Sequence, residues 1–309
     1  MSPKKDVPPC LLNLDKPPGP TSRTVVDRVV RVTGCRKVGH AGTLDPLATG
    51  VLVVCVGRAT RLVPFVQQLP KRYRAVFRFG LTSPTDDVDG PVAELPEAPV
   101  IDESRLRAVL PAFVGRIEQV PPVYSAVKID GRRAYQKARS GRTVLLAPRT
   151  VTVYDLRLVR FHYPDFELEI CCSGGTYVRA LGRDIGKSLG TAAIMVSLTR
   201  TAIGPFRVEQ AVRPEGLQPE AWQDHALPPA AAVPHLRRFE GDETVLRALR
   251  HGQAVPMDRL RPLPPPILDW APPGWQPPED VSAVFDDAGR LVALVRHQRW
   301  RFQPCLVLD

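Results

Sequence analysis

Several familiar signatures are missing from this chain, and each gap narrows what it can be. No uninterrupted apolar run is long enough to cross a bilayer. The first ten residues lead through a short apolar stretch to Asp15 and Lys16, which suits neither a signal peptide nor a transit peptide. The cysteines, Cys10, Cys35, Cys55, Cys171, Cys172 and Cys305, form no C-x-x-C pair, and several sit inside apolar stretches. They read as buried thiols in a reducing cytoplasm rather than as a disulfide frame or a zinc site. The histidines lack metal-ligand spacing. No Lys-Ser or Lys-Thr follows glycines at the phosphate-cradling spacing, which excludes the usual loop of that kind. No metal and no organic cofactor is therefore expected.

What is present is charge of one sign. Lys and Arg number 42 against 32 Asp and Glu, for a net charge of +10, and the pI is about 9.6. A protein this basic usually meets a polyanion, most often a nucleic acid. With 44% hydrophobic and 24% charged residues in 309, the chain can fill a packed core and has room for two domains.

Patterning supplies the elements. Thr21 or Ser22 can cap a helix with Val25, Val26, Val29, Val30 and Val32 on its apolar side, ending at Gly34. Val51 to Val56 is continuously apolar, as in a strand covered on both faces. From Arg72 to Phe79, Tyr73, Ala75, Phe77 and Phe79 alternate with Arg72, Arg74 and Arg78. This is a strand with one face on the protein and one open to solvent or phosphate. Asp102 opens a helix with Leu106, Val109, Leu110 and Phe113 inward. Phe166 to Cys172 alternates as another strand and leads through Gly174 and Gly175 into a helix carrying Tyr177, Leu181, Ile185 and Leu189, closed by Gly190. There is no regular βαβ rhythm, so the expected class is α+β with a largely antiparallel mixed sheet flanked by helices. Leu227 to Pro234 reads as a linker. Beyond it come a short helix around Leu246 to Leu249, a Pro-rich insertion at about 262–278, and a hairpin pairing Val281–Phe285 with Arg290–Val295.

The richest segment is Val38 to Leu62. Asp45 precedes Pro46, is surrounded by Gly39, Gly42 and Gly50, and feeds into the buried strand. Asp-Pro by itself is an ordinary turn. The conjunction Gly39, His40, Gly42, Leu44, Asp45, Pro46, Ala48, Gly50 is far more specific, and it resembles the signature of the TruB family of RNA pseudouridine synthases. The resemblance continues in order through Leu14–Ser22 with Lys16, Lys71–Tyr73, and Gln119, Pro121, Tyr124, Ser125, Ala126, Lys128, Gly131 and Tyr135. It ends in Gly174–Gly186 and in Leu198, Arg200, Gly204 and Phe206. It covers roughly the first two-thirds of the chain. One departure is SPTDD, Ser83 to Asp87, where the family has a T-x-T-x-D run; Asp87 and Gly90 keep their places.

The resemblance implies a pseudouridine synthase fold in residues 1–230, with an RNA-gripping thumb at about 119–149, and a small β-rich PUA-like domain at 235–309. The implied reaction turns a uridine within RNA into pseudouridine after the base is flipped from its stack. Asp45 is the implied essential carboxylate, Arg179 its cation and Tyr73 the aromatic partner of the base. Tyr177 and Leu198 are expected to line the pocket, although plain core packing serves Leu198 equally well. His40 borders the space left by the base, and Lys16 and Asp87 hold loop geometry or phosphate. Lys128, Arg132 and Arg133 on the thumb, with Lys137, Arg139 and Arg142, are expected to meet phosphates. The expected substrate is the T-loop uridine of tRNA, with the second domain touching the acceptor end. The enzyme is expected to act as a cytoplasmic monomer without an obligatory protein partner. Two alternatives stay open: a guide-RNA-dependent synthase, and a tRNA-binding folding helper.

Overall fold

The computed structural model describes residues 7–122 and 146–308, together with the backbone of 128–129 and 132–133. In chain order the elements used below are β1 (Cys10–Lys16), α1 (Ser22–Thr33), β2 (Val38–His40), β3 (Thr49–Val56), β4 (Lys71–Phe79), α2 (Glu103–Val109), β5 (Gly115–Gln119), β6 (Arg149–His162), β7 (Asp165–Cys172), α3 (Val178–Ser188), β8 (Ala193–Ile203), β9 (Arg237–Gly241), α4 (Glu243–Arg250), β10 (Val255–Pro256), β11 (Leu260–Pro262), β12 (Val281–Phe285), β13 (Leu291–Gln298) and β14 (Arg301–Val307). They fall into two compact units: Met1–Pro46 with Gly50–Leu69 and Ile203–Asp309, and Leu47–Thr49 with Pro70–Ala202.

In the first unit β1 runs antiparallel to β3, from Cys10↔Val56 to Lys16↔Gly50, and β2 also pairs with β3. Every residue from Val51 to Val56 is fully buried. Leu12, Leu14, Leu52, Val54 and Val56 meet Val25, Val26 and Val29 of α1. Leu11, Val51, Val53 and Cys55 point the other way and share a core with Val233, Leu236, Phe285 and Leu294. Two apolar partners leave no reason for alternation along β3, hence its unbroken apolar run. α1 is capped as its sequence predicts: the Thr21 side chain accepts from the Thr24 amide at 3.1 Å, and Gly34 takes φ 69°.

The C-terminal strands form a six-stranded sheet in the order β10–β14–β13–β12–β9–β11. The expected hairpin is present as β12 and β13, turned by Gly289 at φ 74°. The stretch Leu227–Pro234 is packed rather than loose. Leu227 exchanges backbone hydrogen bonds with Leu11, and Ala232 and Val233 are buried. Its alanines let it approach the core closely. The Pro-rich insertion is anchored by buried Trp270 and half-buried Trp275.

The second unit has the strand order β8–β4–β7–β6–β5. Ala75, Phe77 and Phe79 of β4 are buried, and Phe166 of β7 stacks on both phenylalanines at 5.2 and 4.4 Å. A Cβ on Gly182 of α3 would lie 2.2 Å from the Phe77 ring, so only glycine allows this helix so near the strand. On the opposite face Arg78 binds Asp165 twice, at 2.7 and 2.9 Å, and Arg74 pairs with Glu167. The face expected to meet solvent or phosphate is thus matched by carboxylates of β7. α2 is capped by Asp102 but ends at Val109, and the chain tightens to a 3-10 turn at Leu110–Phe113. Only Leu106 and Leu110 are buried there, while Val109 and Phe113 are half-buried. Among the described residues no helix is long and apolar enough to cross a membrane.

Candidate active site

Asp45 lies between two peptides that are held on both sides. The Ser22 hydroxyl donates to the Leu44 carbonyl at 3.0 Å and accepts from the Leu44 amide at 2.9 Å. The Pro46 carbonyl accepts from the Gly19 amide at 2.9 Å and from the Lys16 ammonium at 3.1 Å. Lys16 is fully buried and also donates to the Pro17 carbonyl at 2.9 Å. A buried ammonium needs such acceptors to offset its lost hydration. Gly19, at φ 101°, supplies the backbone reversal that brings its amide to Pro46. The Asp45 side chain itself is half-buried. The Leu14–Ser22 motif is therefore the mould in which the Asp45 loop is set. His40 ends β2, and its Nδ1 accepts from the Gly42 amide at 3.3 Å.

The second unit carries the other candidates. Arg179, the second residue of α3, donates to the Thr85 carbonyl at 2.8 Å and to Asp87 Oδ2 at 3.0 Å. Asp87 Oδ1 in turn accepts from the Thr85 hydroxyl and from the Asp89 amide. One helical turn later Arg183 binds Asp86 at 2.8 Å and the Val120 carbonyl at 2.9 Å. Burial raises the Asp86 carboxyl, against the pull of Arg183 and Arg179. Two adjacent acids are thus gripped by two arginines spaced i, i+4 on one helix. At the departure, the Ser83 hydroxyl lies 2.9 Å from that of Thr85 and is hydrogen-bonded to it. A Cβ on Gly90 would lie 2.5 Å from the Thr85 hydroxyl, so glycine there keeps this loop closed.

Tyr177 stands outside α3, as its extended N-cap, rather than within the helix as the pattern suggested. Its backbone is fixed by Gln119: the Gln119 carbonyl oxygen accepts from the Tyr177 amide at 3.1 Å, and the Gln119 amide group donates back to the Tyr177 carbonyl at 3.3 Å. The Arg149 guanidinium lies 5.4 Å from the centre of the Tyr177 ring. Tyr73 is half-buried on β4 opposite Ile170, and Leu198 is buried on β8. Lys71, two residues before Tyr73, is buried, and burial with the neighbouring Arg200 pushes its ammonium down to about 7.

Lys128 and Arg133 face each other in a two-residue antiparallel pair completed by Ile129 and Arg132. Tyr124, Ser125, Ala126, Gly131, Tyr135, Lys137, Arg139 and Arg142 lie outside the described residues. Sequence patterning did not reveal Ser22, Gln119, Arg149, Arg183 or Asp86 as parts of these networks. The i, i+4 spacing of Arg179 and Arg183 beside the doublet Asp86-Asp87 was the one readable trace. Among the described residues no cluster of His, Cys, Asp or Glu is placed to hold a metal ion. The cysteines are free thiols; Cys10, Cys55, Cys171 and Cys172 are buried as expected, whereas Cys305 is exposed at the sheet surface.

Known proteins resemble this chain in sequence and fold. Residues 30–178 match the model of the TruB family pseudouridylate synthase, N-terminal domain. A "tRNA pseudouridine synthase B" of Thermobifida fusca is 39% identical over 302 residues, covering 95% of this chain and 96% of its own. Another so named, from Gloeobacter violaceus, is 44% identical over 254 residues, covering 80% of this chain and 86% of its own. Among solved structures, that of an archaeal box H/ACA sRNP Nop10-Cbf5 complex superposes with a TM-score of 0.70 at 26% identity, over 97% of this chain and 86% of that one. A Cbf5-Nop10-Gar1 complex gives 0.71 at 27% identity, over 97% and 85%. The fold is that of a pseudouridine synthase. The chain belongs to the TruB family.

Proposed function

We propose that this protein is a tRNA pseudouridine synthase that isomerises the T-loop uridine at position 55, acting alone, as a monomer and in the cytoplasm. The observation that carries the proposal is the Asp45 loop, whose peptides on either side of the carboxylate are both fixed by the Lys16–Ser22 segment. Fixed backbone on both sides is what a preorganised catalytic acid requires. Relatives matching nearly the whole chain are named tRNA pseudouridine synthase B, which supports the reaction and the substrate class.

In the isomerisation the glycosidic N–C bond breaks, the uracil turns, and a C–C bond forms, with no net gain or loss of atoms. Asp45 is the essential carboxylate and Arg179 the cation that keeps it ionised when RNA excludes water. Tyr73 stacks on the flipped base. Tyr177 and Leu198 line the pocket and His40 borders the base. Asp87 holds Arg179, and Lys16 holds the loop. Residues 1–230 form the catalytic domain, with the thumb at 119–149 and Lys128, Arg132 and Arg133 on phosphates. Residues 235–309 form a PUA-like domain that meets the acceptor end.

Incubating the purified protein alone with an unmodified tRNA transcript tests this. Pseudouridine should appear in the T-loop, and Asp45→Asn should abolish it while tRNA still binds. The likeness to the Cbf5 complexes supports a second reading, dependence on a guide RNA. Activity that appears only when a guide RNA is added would favour that reading over the first.

A further inference from the structure

The tip of the β13–β14 hairpin is built unlike an ordinary turn. Gln298 pairs with Arg301, so only Arg299 and Trp300 connect the strands. Arg299 takes φ 52°. In a two-residue connection a first position with positive φ favours glycine, and a longer side chain there is strained. Trp300 is 85% exposed, the most exposed large hydrophobic residue described. The tip backbone is nevertheless held, because the Trp300 carbonyl accepts from the Met257 amide at 3.1 Å. An indole is thus presented to solvent from a braced turn whose residues are poor choices for the turn itself.

Charge identifies what it meets. In this sheet and its connections Arg250, Arg259, Arg261, Arg290 and Arg296 each have a carboxylate within 4.0 Å. Arg299 and Arg301, on either side of Trp300 and both exposed, have none among the described residues, and neither do Arg237, Arg238 and Arg247. What sets the tip apart is that its two unpaired guanidinium groups flank an exposed indole. An exposed aromatic face between uncompensated guanidinium groups matches an unpaired nucleobase and its flanking phosphates. We propose that Arg299, Trp300 and Arg301 form a second RNA contact, in which a base of the substrate RNA stacks on Trp300. This rests on the reading of the protein as a tRNA-modifying enzyme.

The test uses the full chain. Adding unmodified tRNA should quench part of the tryptophan emission, and that part should be absent in Trp300→Phe. Inorganic polyphosphate, which has charge but no bases, should not reproduce the quench. With tRNA as substrate, Trp300→Ala should raise KM about tenfold with kcat unchanged, and Trp300→Phe should recover most of the loss. Arg299→Ala should weaken binding at low salt and make the binding that remains less sensitive to salt; an unchanged salt response would remove Arg299 from the contact. An unchanged KM in an active Trp300→Ala enzyme, or equal quenching by polyphosphate, overturns the stacking contact alone. Loss of self-association in Trp300→Ala with unaltered tRNA binding would assign the tip to a protein interface instead. Absence of pseudouridine with every RNA tried, while Trp300 is still quenched by tRNA, would overturn the enzymatic reading and leave the contact standing.

Discussion

Arg179 and Asp87 form an ion pair at 3.0 Å in which the side chains are only 8% and 3% exposed. Asp87 spends its other oxygen on the Thr85 hydroxyl and the Asp89 amide, so neither carboxylate oxygen is left to solvent. The pair fixes the guanidinium at the start of α3 rather than leaving it to find its own position. Removing one partner strands a buried charge, which costs about 3–5 kcal/mol. Asp87→Ala should therefore lower stability by that order in urea titration. Arg179→Lys should fold but turn over far more slowly, since a point charge cannot keep both the Thr85 and Asp87 contacts. Near-normal kcat in Arg179→Lys would argue against any role for its geometry in catalysis.

Ser22 makes a second prediction, because its hydroxyl serves both the amide and the carbonyl of Leu44. Ser22→Ala leaves two buried backbone groups without that partner, at about 1–3 kcal/mol each. The expected result is reduced kcat with tRNA affinity kept, because the Asp45 loop loosens while the phosphate contacts stay. Ser22→Thr, which retains the hydroxyl, should be the milder of the two variants in the same assay.

How much of this could be read from residues alone follows from the range of each interaction. Thr21 and Gly34 bound α1 through bonds to residues three or four away, and the unbroken run Val51–Val56 reports burial on both faces. Those signals are local or periodic. Ser22 to Leu44, Gln119 to Tyr177 and Arg183 to Asp86 are side-chain contacts across 22, 58 and 97 positions. A neutral Ser or Gln carries no mark of which distant peptide it will meet. Tyr177 fell just outside its helix for the same reason: the Gln119 bonds, invisible in the pattern, hold its backbone extended. The motif resemblance located the Asp45 loop, but the residues that shape it became visible only in three dimensions.

The two ends of the 119–149 segment meet at one residue. Gln119 and Arg149 are directly opposite on β5 and β6, and they hold the backbone and the ring of Tyr177 respectively. A change at either root of the segment is therefore felt at Tyr177. Gln119→Leu should lower kcat and raise KM together and cost about 1–3 kcal/mol for each orphaned backbone group. Arg149→Ala should change KM more than stability, as a cation–ring contact near the surface contributes only about 0.5–1 kcal/mol. Additive effects in the double variant would show that the two contacts act separately. Non-additive loss is the expected outcome of steady-state kinetics on the four proteins.

The pH dependence of stability should carry a mark from His235. Its ring is 1% exposed, neither nitrogen has a hydrogen-bond partner among the described residues, and Trp275 packs against it at 5.9 Å between ring centres. Burial pushes its pKa from 6.5 down to about 4. The unfolded chain then binds the imidazole proton at a pH where the folded chain does not. The folded state is accordingly unaffected by this group above about pH 6.5, and loses stability as pH falls from 6.5 towards 4. His235→Leu removes the proton and the two unsatisfied nitrogens together. Urea titrations at pH 7 and pH 5 should show a smaller loss on acidification for the variant than for the parent. Carboxylates such as Asp86 titrate in both proteins and cancel in the comparison. Equal losses would mean that the ring finds a partner once protonated, and that its burial does not oppose charge.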